Sequence, residues 1–208
     1  MAGYAMNEKM HRALALVSAV LLASCSAPNS SDQRASASQA PLAGARIGGP
    51  FALTAQNGRP VRNTDFAGKY QIYYFGYSYC PDVCPVDVQN IALAMRQLDK
   101  SDPVLSARIV PIFITVDPVR DTPAVLKQFA AAFYPRLVAL TGTPAQIDAV
   151  KKSFAIFSQA EPKRPDGGYI VDHSRLAYLF GPDGKPIALL PQDKSPDEIV
   201  AEIKRWAS

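Results

Sequence analysis

Two cysteines and one histidine are the residues of this chain best suited to chemistry. Cys80 and Cys84 lie in the run FGYSYCPDVCP at residues 75–85, and His173 follows 89 positions after Cys84. The one other cysteine and the one other histidine both lie within the first 25 residues. Thiolate sulfur selects copper, zinc or iron–sulfur clusters, and imidazole narrows the choice to zinc or copper. If the fold brings these three side chains together, they could bind one metal ion.

A ligand set of two sulfurs and one nitrogen fits copper better than structural zinc. Closed zinc sites use four ligands, usually all from the protein, and the sequence after residue 25 contains no fourth cysteine or histidine. Two thiolates and one imidazole can hold Cu(I) in a trigonal arrangement, and they can accept a fourth oxygen or water ligand for Cu(II).

Two plainer interpretations of these residues stay open. Cys80 and Cys84 could form a structural disulfide, although a bridge that closes so short a loop removes little entropy from the unfolded chain. His173 could be a loop histidine that hydrogen-bonds to a backbone carbonyl.

The first 25 residues have the pattern of a secretion signal. Lys9 and Arg12 precede an apolar run at 13–23, whose 11 residues fall short of the roughly 20 that span a bilayer core. The run is followed by Leu22–Cys25, LASC, which is typical of a bacterial lipobox. We therefore expect Cys25 to be lipidated and to become the first residue of the mature chain. The alternative is an ordinary cleaved signal peptide.

The rest of the chain divides into a linker and one domain. Residues 26–41 are rich in Ser, Ala, Asn and Gln and have no long apolar side chain, so they cannot bury enough surface to offset their ordering entropy. We predict a lipoprotein signal peptide at 1–24, a flexible tether at 25–46 and one domain at 47–208. The lipid would anchor this domain at a membrane, facing the periplasm.

Charge and export narrow the class of protein. The formal net charge of +4 is mild, and no basic run with interleaved aromatic residues occurs, so we expect no binding to nucleic acid. An exported domain meets oxidising conditions, in which Cys80 and Cys84 can rest as a disulfide unless they are reduced or metallated. We expect a monomer.

The elements around the cysteines predict that both lie at a strand-to-helix turn. Residues 70–75 form an aromatic and β-branched run that ends at Gly76 and is typical of a buried strand. Pro85 suits the first turn of a helix. Four apolar residues then recur at helical spacing, namely Val88, Ile91, Met95 and Leu98. The N-terminus of such a helix should favour the thiolate form of the cysteines over the thiol.

Later elements complete an α/β pattern. Three helices are predicted where a hydroxyl side chain precedes proline, at Thr122–Pro123, Thr143–Pro144 and Ser195–Pro196. Strands are predicted at 108–116, 136–140, 155–159, 176–180 and 187–190. The last two flank a turn at 181–184, and another hairpin surrounds Asn57–Gly58. Pro111 lies inside the first of these runs and predicts a bulge or a free edge.

This order of elements predicts an α/β domain whose central mixed sheet has helices on both faces and an N-terminal β-hairpin. A dithiol at the first β-to-α turn of such a domain looks like thioredoxin, although the three-residue spacer departs from its redox motif. In a thioredoxin-like fold, the loop that carries His173 lies close to the dithiol.

Two acids are candidates for supporting the metal ligands from outside. Asp117 follows a predicted strand at what should be the same end of the sheet, and Asp172 precedes His173. An acid that accepts a hydrogen bond from a ligating imidazole orients the ring. The alternative for the acids around 117–121 is helix N-terminal charge and a local ion pair, which we favour for Asp121.

Three motifs resemble the Sco/SenC family, the copper chaperones of cytochrome c oxidase assembly. They occur in the expected order, as FGYSYCPDVCP at 75–85, FITVDPVRDTP at 113–123 and DHS at 172–174. The resemblance covers about 47–206 and implies a thioredoxin-like domain in which Cys80, Cys84 and His173 bind one copper ion. It also implies delivery of that copper to the binuclear copper centre of an oxidase subunit.

A second function uses the same cysteines. A thiol–disulfide oxidoreductase would reduce the cysteines of the oxidase subunit before metallation, with Cys80 and Cys84 as attacking and resolving thiols. It has no strict need of a histidine, so His173 discriminates between the two functions. A peroxidase of the peroxiredoxin type is disfavoured, because residues 70–79 lack the proline and threonine that precede its nucleophile. A sensor of copper or redox state is a further alternative.

Overall fold

The structure is a computed structural model that describes residues 39–207. The predicted signal peptide, the lipidated Cys25 and the start of the tether lie outside these residues. The described residues all belong to one compact unit. Among them, no helix combines the length and the apolar character that a membrane span requires.

Nine strands and five α-helices make up the described part of the chain. The strands are β1 Ala52–Ala55, β2 Pro60–Arg62, β3 Tyr70–Gly76, β4 Ile109–Thr115, β5 Val138–Thr141, β6 Ser158–Ala160, β7 Val171–His173, β8 Ala177–Phe180 and β9 Pro186–Leu190. The helices are α1 Val83–Ser101, α2 Pro103–Ala107, α3 Pro123–Phe133, α4 Pro144–Ser153 and α5 Pro196–Trp206, with a short 3-10 helix at Asn63–Phe66.

Seven of the strands form one mixed sheet in the order β2-β1-β5-β4-β3-β8-β9. The central pairs β3–β4 and β4–β5 are parallel, and the outer pairs are antiparallel. Strands β6 and β7 pair with each other in a separate antiparallel ladder. This topology confirms the predicted α/β class with a mixed central sheet, and β1 and β2 form the predicted N-terminal hairpin.

The core lies around β3, whose seven residues are all buried. A strand that is apolar on both faces must be covered on both, which is why its sequence shows no alternation of polar and apolar residues. Helix α1 buries the four apolar residues predicted from their spacing. The cysteine loop therefore connects a buried strand to a helix that is anchored in the core.

Pro111 lies in the interior strand β4 without breaking it. The register of β4 on β3 is continuous through Pro111, and pairing with β5 begins only at Ile112. The proline thus lies where the β5 side of the strand is unpaired, which confirms the predicted free edge. The irregular register lies elsewhere, between β8 and β9 at Leu179 and Phe180.

The three predicted helix starts are confirmed in detail. The hydroxyls of Thr122, Thr143 and Ser195 each accept a hydrogen bond from a backbone amide in the first turn. At Thr143 and Ser195 the third helical residue also bonds back to the amide of the cap, which makes a capping box. Helix α2 was missed, although Asp102 before Pro103 is the same kind of signal.

Two boundaries differ from the prediction by three residues or more. The strand expected at 155–159 begins at Ser158, because Ala155 takes a left-handed conformation with φ of 53° directly after α4. At the N-terminus, Ala40 is buried, and the Leu42 amide donates to the Ile187 carbonyl at 2.9 Å. The last residues of the predicted tether therefore pack on the domain.

Candidate metal centre

Three ligand-type side chains converge beside the carboxyl end of β3. The sulfurs of Cys80 and Cys84 and a ring nitrogen of His173 all lie within 4.8 Å of one another. Cys84 Sγ is 3.1 Å from His173 Nε2. Across residues 39–207, this is the one group of three or more cysteine, histidine or acidic side chains with ligand spacing. The fold thus brings together the three residues that the sequence singled out.

The two cysteines lie where β3 passes into α1, as predicted. Cys80 belongs to the connecting loop, where its amide donates to the Tyr77 carbonyl at 3.2 Å. Cys84 is the second residue of α1 and is completely buried, whereas Cys80 is half-buried. Both are free thiols. At Gly76, a β-carbon would lie only 3.1 Å from the Cys84 sulfur, so the glycine makes room for it.

Burial decides the protonation of Cys84. Loss of hydration raises the pKa of this thiol to about 12, so the sulfur carries its proton at neutral pH in the absence of metal. Desolvation of Cys84 thus acts against the thiolate form that the helix N-terminus was expected to favour. A metal ion that binds this sulfur must displace the proton.

His173 is the last residue of β7, in register with Ser158 of β6. The sequence placed it in a loop before a strand, and the structure corrects this. Its Nδ1 lies 3.0 Å from the Ser174 carbonyl, which can only accept, so Nδ1 carries the proton and Nε2 presents its lone pair towards Cys84. Burial lowers the pKa of His173, which keeps the ring neutral. A ligating histidine commonly donates its second nitrogen to a carbonyl in this way.

The two acids predicted to orient this ring have other positions. The partner of His173 Nδ1 is the backbone of Ser174, so neither acid fills that role. Asp117 is buried, pairs with Arg120 and accepts a hydrogen bond from the Tyr169 hydroxyl at 2.8 Å. Asp172 is exposed at the middle of β7. A backbone carbonyl cannot be recognised as an outer partner from side-chain types, which explains the error.

Arg120 connects the segment after β4 to the cysteine loop. Its guanidinium lies over the rings of three tyrosines, 3.6 Å from the centroid of Tyr169, 5.2 Å from that of Tyr79 and 5.4 Å from that of Tyr77. It also donates to the Tyr169 carbonyl at 2.9 Å. The Tyr77 hydroxyl in turn accepts from the amide of Val171 in β7. The cation therefore holds the loop of Cys80 and the strand of His173 in one cluster.

Asp121 holds the same loop through hydrogen bonds. It is completely buried and accepts hydrogen bonds from the amide and the hydroxyl of Ser78, and from the Thr115 hydroxyl at 2.6 Å. The local role favoured from the sequence, a charge at a helix N-terminus, misses this long-range contact. Burial raises the pKa of this carboxyl, and the hydrogen bonds offset part of that effect.

An acid that the sequence did not single out lies on the helix that carries Cys84. Asp87 is completely buried on α1, and its carboxylate accepts hydrogen bonds from the Tyr74 hydroxyl at 2.9 Å and from Arg175 Nε at 2.6 Å. A signal for it existed, since Asp87 precedes Ile91 by four residues and therefore lies on the buried face of the helix. Its partner Arg175 is 88 positions away and could not be found from helical spacing.

The donor chemistry of the cluster fits a soft metal ion. Two thiols and a neutral imidazole with an inward lone pair match the ligands that copper accepts. Within the described residues the cluster offers no fourth side-chain ligand, and a closed structural zinc site would need one. Cys80, Cys84 and His173 thus form a candidate copper site.

Known proteins resemble this chain over the whole described domain. A sequence model of the SCO1/SenC family matches residues 39–208. The chain is 40% identical over 157 residues to the mouse (Mus musculus) protein SCO1 homolog, mitochondrial, which covers 76% of this chain and 55% of that protein. The chain spans about half the length of the curated relatives it matches.

Solved structures resemble the fold as well. Bradyrhizobium japonicum ScoI with copper bound has 39% identity and a TM-score of 0.70, over 77% of this chain and 99% of that one. BsSco, a member of the Sco family of cytochrome c oxidase assembly proteins with an identified disulfide switch, has 28% identity and a TM-score of 0.60, over 77% and 94%. A SCO1/SenC family lipoprotein from Bacillus anthracis has 26% identity and a TM-score of 0.63, over 78% and 95%. These likenesses confirm the predicted thioredoxin-like fold.

Proposed function

The chain belongs to the SCO1/SenC family, and on that premise we propose that it is an exported copper chaperone. Cys80, Cys84 and His173 bind one copper ion, as Cu(I) or Cu(II). The protein delivers this ion to the binuclear copper centre of a cytochrome c oxidase subunit. Copper is the cargo of the protein, and the delivery step is an exchange of ligands with the thiols of the recipient.

One observation carries the proposal. The ring of His173 donates its Nδ1 proton to a carbonyl and presents Nε2 at 3.1 Å from the Cys84 sulfur. The bond to the carbonyl would also suit a structural histidine, but a lone pair of Nε2 directed at the Cys84 sulfur is what a metal ligand requires, and a dithiol reductase needs no such histidine. The copper bound by ScoI of Bradyrhizobium japonicum, 39% identical to this chain, supports copper as the ion.

The residues of the chain prepare the site for this exchange. The Cys84 thiol gives up its proton when copper binds, and the neutral imidazole of His173 can act as a ligand at once because it has no proton to lose at Nε2. The cluster around Arg120 and the bonds of Asp121 hold the loop of Cys80 in place. Binding and release then require little rearrangement of the chain.

The second candidate function is a thiol–disulfide oxidoreductase. The two sulfurs lie within 4.8 Å of each other, so a movement of the Cys80 loop could bring them together in a disulfide, and BsSco has an identified disulfide switch. In this reaction Cys80 and Cys84 give two electrons and two protons to a disulfide of the oxidase subunit and become a disulfide themselves. The reductase would leave His173 without a function.

A copper titration separates the two functions. The reduced domain from residue 25 onward, without lipid, should bind one equivalent of Cu(II), with strong sulfur-to-copper charge-transfer absorption and a single paramagnetic resonance signal. His173→Ala should bind more weakly and lose intensity in this band. The exposed neighbour Asp172→Asn is the matched control and should keep the wild-type spectrum.

The opposite results are equally informative. Retention of one copper ion by His173→Ala, with unchanged affinity and spectrum, would refute the three-ligand site. Rapid disulfide formation with no stable copper species in the wild-type protein would favour the oxidoreductase.

Anchoring at a membrane is part of the proposal. Residues 1–24 act as a signal peptide, and Cys25 carries a lipid. The tether that begins at Cys25 links a monomeric domain to the membrane on its periplasmic side. The lipobox pattern at 22–25 and the Bacillus anthracis lipoprotein support this. Intact-mass measurement of the protein extracted from membranes should show a lipid on Cys25, and Cys25→Ser should release the domain; an unmodified N-terminus at another residue would contradict it.

A further inference from the structure

An ion pair between the fully buried Asp87 and the partly exposed Arg175 lies next to the metal centre. Asp87 is three residues after Cys84 in α1, so the two side chains occupy neighbouring positions on one face of the helix. Both oxygens of Asp87 accept from Arg175, Oδ2 from Nε at 2.6 Å and Oδ1 from Nη2 at 2.5 Å. The Tyr74 hydroxyl completes the environment of the carboxylate. A fully buried carboxylate requires such partners, so the position of Asp87 fixes the guanidinium of Arg175.

Arg175 lies two residues after His173, in the short segment between β7 and β8. The main chain of this segment is also held, because the Arg175 carbonyl accepts from Gln192 Nε2 at 2.9 Å. On its other side, the Ser174 amide donates to the Phe157 carbonyl at 2.9 Å. The Ser174 carbonyl, which orients His173, therefore lies between two hydrogen-bonded groups of the main chain, the Ser174 amide and the Arg175 carbonyl.

We propose that Asp87 and Arg175 form a positioning pair for His173. The two parallel hydrogen bonds tie the helix that carries Cys84 to the segment that carries the imidazole, and so maintain the distance between the sulfur and Nε2. This role rests on the proposed copper binding and concerns the same site. Neither residue of the pair is a copper ligand.

A gain in folding stability would not by itself explain why the chain has this ion pair. Arg175 is 37% exposed, but the Asp87 carboxylate is fully buried, and its loss of hydration offsets part of the attraction between the two charges. Replacement of such a pair by apolar side chains of similar volume can therefore be neutral or stabilising. What an apolar pair cannot supply is the fixed direction of a guanidinium fork on a carboxylate. The pair is therefore suited to fixing the position of the neighbouring His173 ring relative to the Cys84 sulfur.

The test compares copper affinity and stability in one set of variants. The double variant Asp87→Leu/Arg175→Met removes both charges and should keep the fold, but it should weaken copper binding about tenfold, the lower end for loss of an outer-shell partner of a metal ligand. Arg175→Lys keeps the charge beside Asp87 without the two-pronged geometry and should show a smaller loss. Lys185→Met, which breaks an exposed ion pair with Asp183, is the control and should change nothing.

A double-mutant cycle with His173→Ala identifies the path of the effect. If the pair acts through the imidazole, Asp87→Leu/Arg175→Met should cost about tenfold in the wild-type background and less than about twofold once His173 is absent. Affinity is measured by competition with a Cu(I) chelator, and nitrogen hyperfine coupling of the Cu(II) form reports the imidazole directly.

Each other outcome has a defined meaning. An equal loss in both backgrounds, or wild-type affinity in the double variant, would overturn the positioning role while leaving the copper site intact. If the double variant does not fold, Arg175→Lys in the same cycle decides by the same criterion. Failure of the wild-type protein to bind copper would instead overturn the proposed function itself.

Discussion

Replacement of Arg120 by methionine should destabilise the domain far more than the loss of an ordinary surface arginine. Arg120 has a side-chain exposure of 19%, and its partner Asp117 has one of 4%. The variant would leave the buried Asp117 carboxylate with the Tyr169 hydroxyl as its remaining hydrogen-bond donor from a side chain. Methionine retains much of the apolar stem, so the change isolates the charge.

The magnitude follows from three losses. Breaking a buried ion pair by removing one partner costs about 3–5 kcal/mol, and the partial exposure of Arg120 places this pair at the lower end. The cation over the Tyr169 ring contributes about 0.5–1 kcal/mol, and the hydrogen bond to its carbonyl about 1 kcal/mol. Because these contributions overlap, we expect a total loss of about 3–4 kcal/mol. A loss of this size lowers the melting temperature of a domain of this length by roughly 10 °C.

Urea unfolding at neutral pH measures the effect, provided that the m-value stays unchanged. Arg205→Met is the control, since Arg205 is 64% exposed and pairs with Glu202 at 3.4 Å; its loss should cost less than about 0.5 kcal/mol. The combined variant Asp117→Asn/Arg120→Met should recover part of the stability, because it removes the unpaired charge. A loss below about 1 kcal/mol in Arg120→Met, or no recovery in the combined variant, would show that the buried charge is not what the arginine stabilises.

Two further changes test the packing at the centre and a helix start. Gly76→Ala would place a β-carbon 3.1 Å from the Cys84 sulfur and 3.0 Å from the Tyr74 ring, so we expect a loss of about 1–3 kcal/mol from overpacking and a weaker copper site. Full stability together with wild-type copper affinity would show that the sulfur can move aside. Thr143→Ala removes the hydroxyl that caps α4 and half of its capping box with Gln146, and should cost about 1 kcal/mol in urea unfolding. An unchanged unfolding midpoint would mean that the amides of the first turn are satisfied equally well by water.

Sequence patterns predicted the positions of the two site residues that are close together in the chain. Cys80 and Cys84 were placed at a strand-to-helix turn because a buried strand, a proline and a helical period surround them. His173 was connected to them only through the expected fold and the resemblance to the Sco/SenC family. Its strand β7 was missed, since three residues are too few to show alternation and the strand exists only because it pairs with β6.

The remaining features of the site depend on contacts between distant parts of the chain. Asp87 was on the predicted buried face of α1, but the arginine that makes its burial tolerable is 88 positions away. The partner of His173 is a backbone carbonyl, which every residue possesses and no sequence pattern marks. The high pKa of Cys84 arises from the packing of several elements around it, and helix position alone predicts the opposite direction.

The two cysteines are buried to different degrees, so one side of the centre is closed to solvent and the other is open to it. Cys84 is fully enclosed, whereas Cys80 and His173 are both partly exposed. If the chain delivers copper as proposed, an incoming thiolate would approach the ion on the side of Cys80 and His173, and one of these two bonds would be exchanged first. The enclosed Cys84 would then hold the ion until the recipient has formed its first bond, so that the ion would not be released into solution during transfer. We expect the rate of copper release to rise with the concentration of the acceptor, with very slow loss when no acceptor is present.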